Sequence, residues 1–199
     1  MVTWQSSHSL DPYRPIASTH PAINVEVIAL DWRWLFIYPK YNVASINYLD
    51  IPNNVPINMH LTSDAPMNSF WVPALAGQIY TMPGMSTQLH LMATSKGNYQ
   101  GSSANISGNG FSKMIFTVRS NSTLDFNNWI NKLKNSSNSL SLADYTKLAE
   151  PSENSAVQSF SKVNPNLYND IIMKYMAPVM HSTQSNSLGS MNSMSGGMQ

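Results

Sequence analysis

Two stretches hold the residues whose types and spacing could do chemistry: GNYQGSSANISGNGFSKM at 97–114 and TSDAPMNSFWVP at 62–73. Glycines, small polar side chains, Phe111 and Met114 recur there at spacings suited to a metal-ligating loop, yet most side chains able to bind a metal are missing. The chain has no cysteine, which excludes disulfides and thiolate metal sites. Its histidines, at 8, 20, 60, 90 and 181, are scattered. His60 and His90 sit opposite an apolar parity (Ile57, Met59 and Leu61; Leu89 and Leu91), so each reads as an exposed or edge residue rather than a ligand. Asp31, Asp50 and Asp64 occur singly, with no paired carboxylates for acid–base work. P-loop, dinucleotide, HExxH and GxSxG signatures are absent, and no hydrolase or transferase chemistry is expected. Met191, Met194 and Met198 carry thioethers that suit Cu(I), but their low-complexity surroundings fix no coordination geometry.

These candidates need a scaffold, and composition supports one. With 199 residues, 42% hydrophobic content, five Trp, nine Tyr and six Phe, the chain has material for a core. Charged residues make up only 11%, and eleven basic against ten acidic side chains leave a net charge of +1. No basic stripe marks a nucleic-acid partner. Apolar runs such as 35–37 and 114–116 fall far short of the roughly 18 residues of a membrane helix. The start, MVTWQSSHSLDPYRP, lacks the charged leader and apolar core of a signal peptide.

Residues 1–21 read as an extended lead-in, because Pro12, Pro15 and Pro21 fix torsions and remove donors. A strand follows at Ile23, Val25, Val27 and Ala29, leading into LDWRWLFIYPKYN. There Trp32, Trp34, Phe36 and Tyr38 share one parity, an aromatic stripe for core packing or subunit contact. Val43 to Ile51 is a weaker alternating strand, and IPNNVP turns the chain into INMHLTS at 57–63. Gly77, Pro83 with Gly84, and 96–98 punctuate the rest, so 23–120 holds about eight short strands in an all-β sandwich or barrel.

From 123 the apolar period becomes helical. Leu124, Trp129, Ile130 and Leu133 share a face, with Ser122 or Thr123 as cap and Asp125 in the first turn. In SLADYTKLAE, Ser141 and Asp144 approximate a capping box, and Pro151 stops the helix. Leu167, Ile171, Ile172, Tyr175 and Met176 form a last stripe, expected to dock on the sandwich or on another subunit. Residues 181–199 are expected to be disordered.

TSDAPMNSFWVPALAGQIYTMPG and GNYQGSSANISGNGFSKMIFTV together resemble the periplasmic cupredoxin-like domain of subunit II of the haem-copper oxidases. DWRWLFIYP and MNSFWVP resemble the ubiquinol oxidase branch, the cytochrome bo3-type enzymes, more than the cytochrome c oxidase branch. The resemblance spans about 10–176 and implies a Greek-key β-domain over 22–120, a helical extension over 121–180 and the tail at 181–199. In the cytochrome c branch this domain holds a binuclear copper centre. Matched motif to motif, its first His falls on Asn68, its thiolates on Ser103 and Ser107, its Glu on Asn105, its second His on Phe111 and its Met on Met114.

Only Met114 keeps a ligating side chain. A serine hydroxyl stays protonated, an amide is a weak neutral donor and a phenyl ring donates nothing, so no binuclear copper is expected. The resemblance therefore implies a chain without catalytic residues or cofactor of its own, an accessory subunit of a proton-translocating oxidase. Haems, copper and ubiquinol chemistry would reside in a large partner subunit, accompanied by smaller membrane subunits, with no soluble cytochrome c docking. It implies the periplasmic face of a bacterial inner membrane and two membrane helices ahead of the lead-in. Trp32, Trp34 and Phe36 are the expected subunit contact. The alternative is a free-standing binding or assembly module of cupredoxin shape.

Overall fold

The computed structural model describes residues 14–105, 114–152 and 156–184, with backbone alone for 177–184. Ten strands precede the first long helix: β1 (Ile23–Leu30), β2 (Arg33–Tyr38), β3 (Val43–Ile46), β4 (Tyr48–Pro52), β5 (Ile57–Ser63), β6 (Asn68–Trp71), β7 (Ile79–Thr81), β8 (Thr87–Leu91), β9 (Gly97–Ser103) and β10 (Ile115–Asn121). Then come α1 (Thr123–Lys134), β11 (Ser139–Leu140), α2 (Leu142–Leu148), β12 (Gln158–Phe160), β13 (Lys162–Val163) and α3 (Leu167–Gln184). One sheet runs β12-β3-β2-β1-β5-β8 and the other β4-β10-β9-β6-β7, with β11 and β13 as a separate pair. The expected β-sandwich is therefore present, with ten strands rather than about eight among the described residues of 23–121.

The stretch 43–51, read as one strand, is two. Asn47 adopts φ 56 between β3 and β4, and the chain passes there from the first sheet to the second. Asn tolerates that left-handed backbone better than a branched residue does. Asn47 also exchanges bonds with Trp34: the Trp34 N–H donates to the Asn47 side-chain oxygen at 2.8 Å, and the Asn47 N–H to the Trp34 carbonyl at 2.8 Å.

Two cores flank the first sheet. Between the sheets, Val25, Val27, Trp34, Phe36 and Tyr38 meet Leu49, Phe70, Phe116 and Val118. On the outer face, Ile28, Leu30, Leu35, Ile37 and Ile46 meet Leu140, Leu148, Phe160, Val163, Leu167 and Ile171. β2 is buried along its whole length because both parities have a partner layer.

The C-terminal segment is thus a cover for the sandwich, and not a purely helical one. β12 pairs antiparallel with β3, matching Phe160 to Ala44, so the extension supplies an edge strand. Ser122 caps α1 by accepting from the Asp125 N–H, and Ser141 with Asp144 completes the capping box of α2. α3 docks on the sandwich through Leu167, Tyr168 and Ile171, while Met176 is exposed. Its backbone helix extends through 181–184, a segment expected to be disordered; the rest of that tail lies outside the described residues. Among the described residues no helix is long and apolar enough to cross a membrane.

Candidate functional site

Of the positions matched to copper ligands, those the structure describes lie at one end of the second sheet. β6 begins at Asn68 and β9 ends at Ser103, neighbouring strands paired through Phe70 and Ser103. The Ser103 hydroxyl donates to the Asn68 side-chain oxygen at 3.0 Å and lies 3.2 Å from the Asn105 carbonyl. Asn68 donates its amide N–H to the Pro66 carbonyl at 2.8 Å, and Asn105 donates to the Met67 carbonyl at 2.9 Å. Asn68 and Ser103 are buried. Asn68, Ser103 and Asn105 thus direct these hydrogen bonds to one another and to nearby backbone carbonyls.

Met114 closes this end from the other side. Its carbonyl accepts from the Ser103 N–H at 3.2 Å, and its side chain is buried in the inter-sheet core. Ser103 thus touches Asn68 and Asn105 through its side chain and Met114 through its backbone; Ser107 and Phe111 lie outside the described residues. The four described positions offer one thioether, two amides and a hydroxyl. That set lacks the bridging thiolates and imidazoles a binuclear copper centre needs, so the residues present do not fit it. Among the described residues, no three His, Cys, Asp or Glu side chains gather into a metal-binding group.

Below the loop lies an aromatic cluster. Phe70 and Phe116 stack at 4.9 Å between ring centroids, with Trp34 edge-on to Phe70 at 5.3 Å and Phe36 at 5.4 Å from Phe116. This corrects the subunit-contact expectation for the aromatic strand. Trp34 and Phe36 are fully buried because the second sheet covers their face, so neither reaches a partner. Trp32 is half-buried at the β1–β2 turn, with φ 64.

Two charged residues with no motif around them fasten the extension. The Asp64 carboxylate, 1% exposed, accepts from the Tyr145 hydroxyl of α2 and from Lys174 and the Tyr175 hydroxyl of α3, each at 2.7 Å. Burial and the hydrogen bond to Asp64 push the Tyr145 phenol far above its ordinary range. The buried Arg33 guanidinium donates to the Leu148 carbonyl and, at 2.9 Å, to the Glu150 carbonyl. It thus meets the negative end of α2. Neither role was legible in the sequence, since the partners lie 81 to 117 residues away.

His60 and His90 lie on the outer face of the first sheet, away from the loop. β5 and β8 place them diagonally, and His90 Nδ1 lies 2.8 Å from the Asn58 side-chain oxygen. Burial, with His90 second, pushes the His60 pKa down. Glu26, beside His60 in the parallel register, is pushed up to about 7 by burial. These are sheet residues adapted to partial cover.

Residues 23–121 match the family model for the cytochrome C oxidase subunit II periplasmic domain, and 134–179 match the COX Aromatic Rich Motif. The ubiquinol oxidase subunit 2 of Acetobacter aceti is 51% identical over 178 residues, covering 88% of this chain and 57% of the relative. The cytochrome bo(3) ubiquinol oxidase subunit 2 of Pseudomonas putida is 47% identical over 173 residues, covering 87% and 55%. The chain spans little more than half the length of these relatives. The crystal structure of the periplasmic domain of subunit II of cytochrome oxidase from Bradyrhizobium japonicum superposes with a TM-score of 0.55 at 18% identity, covering 60% of this chain and 96% of that one. That likeness shows the fold.

Proposed function

This chain belongs to the cytochrome c oxidase subunit II family, and from that premise we propose that it is the copper-free periplasmic domain of an accessory subunit in a ubiquinol-oxidising terminal oxidase. The hydrogen bond from Ser103 to Asn68 carries the reading. It joins the two positions where a thiolate and an imidazole would have to converge on copper. A domain that relayed electrons from a soluble donor would need that centre. Without it, electrons enter the complex from quinol in the membrane, and this chain contributes no catalytic residue.

Oxygen reduction, haem and copper binding and proton translocation belong, in this reading, to a large partner subunit at the bacterial inner membrane. The β-domain serves as a rigid periplasmic cover that assists assembly. Rigidity is supported by the two cores on either side of β2 and by the buried Asp64 anchor. Of the three aromatic positions considered for partner contact, Trp32 at the β1–β2 turn is the one we retain.

The test is partnership in the native membrane. The full gene product, tagged and extracted in mild detergent, is expected to co-purify with a haem-containing subunit and ubiquinol oxidase activity. A haem-free, monodisperse species from the same membranes would overturn the proposal and favour a free-standing module.

A further inference from the structure

An open groove of about 970 Å³ lies far from the vestigial ligand loop, where α1 passes over the β4 and β10 ends and approaches the entry to β12. Its size is in the ~300–1,000 Å³ range of small-ligand sites. Tyr48 and Trp129 provide aromatic surface, with ring centroids 5.9 Å apart. Trp129 is also held edge-on against Tyr38 at 5.5 Å, so its indole is fixed rather than free to collapse into the groove. Asn131 and Lys132 come from the exposed side of α1, Asn135 is its C-cap, and Arg119 comes from β10.

The chemistry of this lining is specific. Asparagine amides each present a donor and an acceptor, the pairing that neighbouring hydroxyls of a sugar require. A half-buried indole flanked by a phenol offers an apolar platform for the C–H face of a pyranose ring. Arg119 bonds to the Tyr48 phenol and faces Asp50 and Asp125, so its charge is partly answered within the fold. Lys132 makes no ion pair among the described residues, which leaves a cation for one carboxylate. The groove also runs along the C-terminal half of α1, the negative end of the helix dipole, which weighs against a polyanion. Phosphate groups prefer the opposite helix end.

We propose that the groove between α1, β4 and β10 is a binding site for a saccharide that carries a carboxylate. Trp129 and Tyr48 stack the ring, Asn131 and Asn135 read its hydroxyls, and Lys132 with Arg119 pairs the acid. The site does not depend on the oxidase reading, and it provides the domain with a contact to acidic glycan outside any complex.

The test titrates the ¹⁵N-labelled 199-residue chain with digalacturonate, with its neutral methyl ester, with an acidic hexapeptide and with inorganic phosphate. The indole N–H resonance of Trp129, identified by its loss in Trp129→Phe, should shift saturably with the sugars. The acid should bind about five-fold more tightly than the ester, the strength of one exposed ion pair. Lys132→Gln should erase that preference and Asn131→Ala should weaken both sugars. Both side chains are exposed, so these variants leave the fold intact. The proposal is overturned if no saturable shift occurs, if peptide or phosphate binds as well as the acid sugar, or if Lys132→Gln keeps the preference.

Discussion

At Gly101 the site rests on a single missing side chain. A Cβ placed there would lie 2.1 Å from Phe116 Cζ, because the Phe116 ring lies over its cross-strand partner. Gly101→Ala should therefore displace a ring already stacked on Phe70, at a cost of about 1–3 kcal/mol. Urea unfolding checks this, and pairing the change with Phe116→Leu should recover part of the loss through coupling between the two sites. Asp50 makes a second prediction. It is fully buried, accepts from the Asn121 amide at 2.9 and 3.1 Å, and is pushed up to about 6 chiefly by burial. A raised folded pKa favours the protonated form, so its contribution is present below about pH 4 and is lost as pH rises through 6. Thermal melts across pH 4–7 should show a steeper loss for the native chain than for Asp50→Asn. Equal slopes would refute the assignment.

At the scale of elements, the sequence was legible where one interaction decided the structure. The caps of α1 and α2 and the alternation of β1 and β5 were readable because each partner lies within a few residues or one strand pairing. β2 was harder. Its aromatic parity and its aliphatic parity are both buried, and only the arrival of the extension on the outer face explains the second. The division of 43–51 hinges on Asn47, and the available signal was its residue type, which tolerates the left-handed backbone found there. Asp64 was not readable at all, since its three donors come from α2 and α3. Asp64→Asn should loosen both helices from the sandwich, costing about 3 kcal/mol for charge-assisted bonds made at a buried acceptor. Hydrogen exchange should then speed up in 142–148 and 167–176 before it does in β1 or β5. Unchanged protection there would show that apolar packing alone retains the cover.

For the molecule as a whole, the sandwich and its cover form one folded unit, with β12 in the first sheet and the Asp64 and Arg33 contacts closing the outer core. The candidate loop is marked in the sequence by its glycines and small polar residues and by the lack of cysteine; of its proposed ligand positions the structure describes Asn68, Ser103, Asn105 and Met114. What required the structure was the identity of the partners, Asn68 for the Ser103 hydroxyl and the Met67 carbonyl for the Asn105 amide, together with the burial of Trp34 and Phe36. We propose that this scaffold holds no copper. Copper analysis of the purified chain after incubation with excess Cu(I) or Cu(II) and desalting tests it most directly. Copper well below stoichiometry, with no visible charge-transfer absorption, is the predicted result; one or two tightly held copper ions per chain would contradict it.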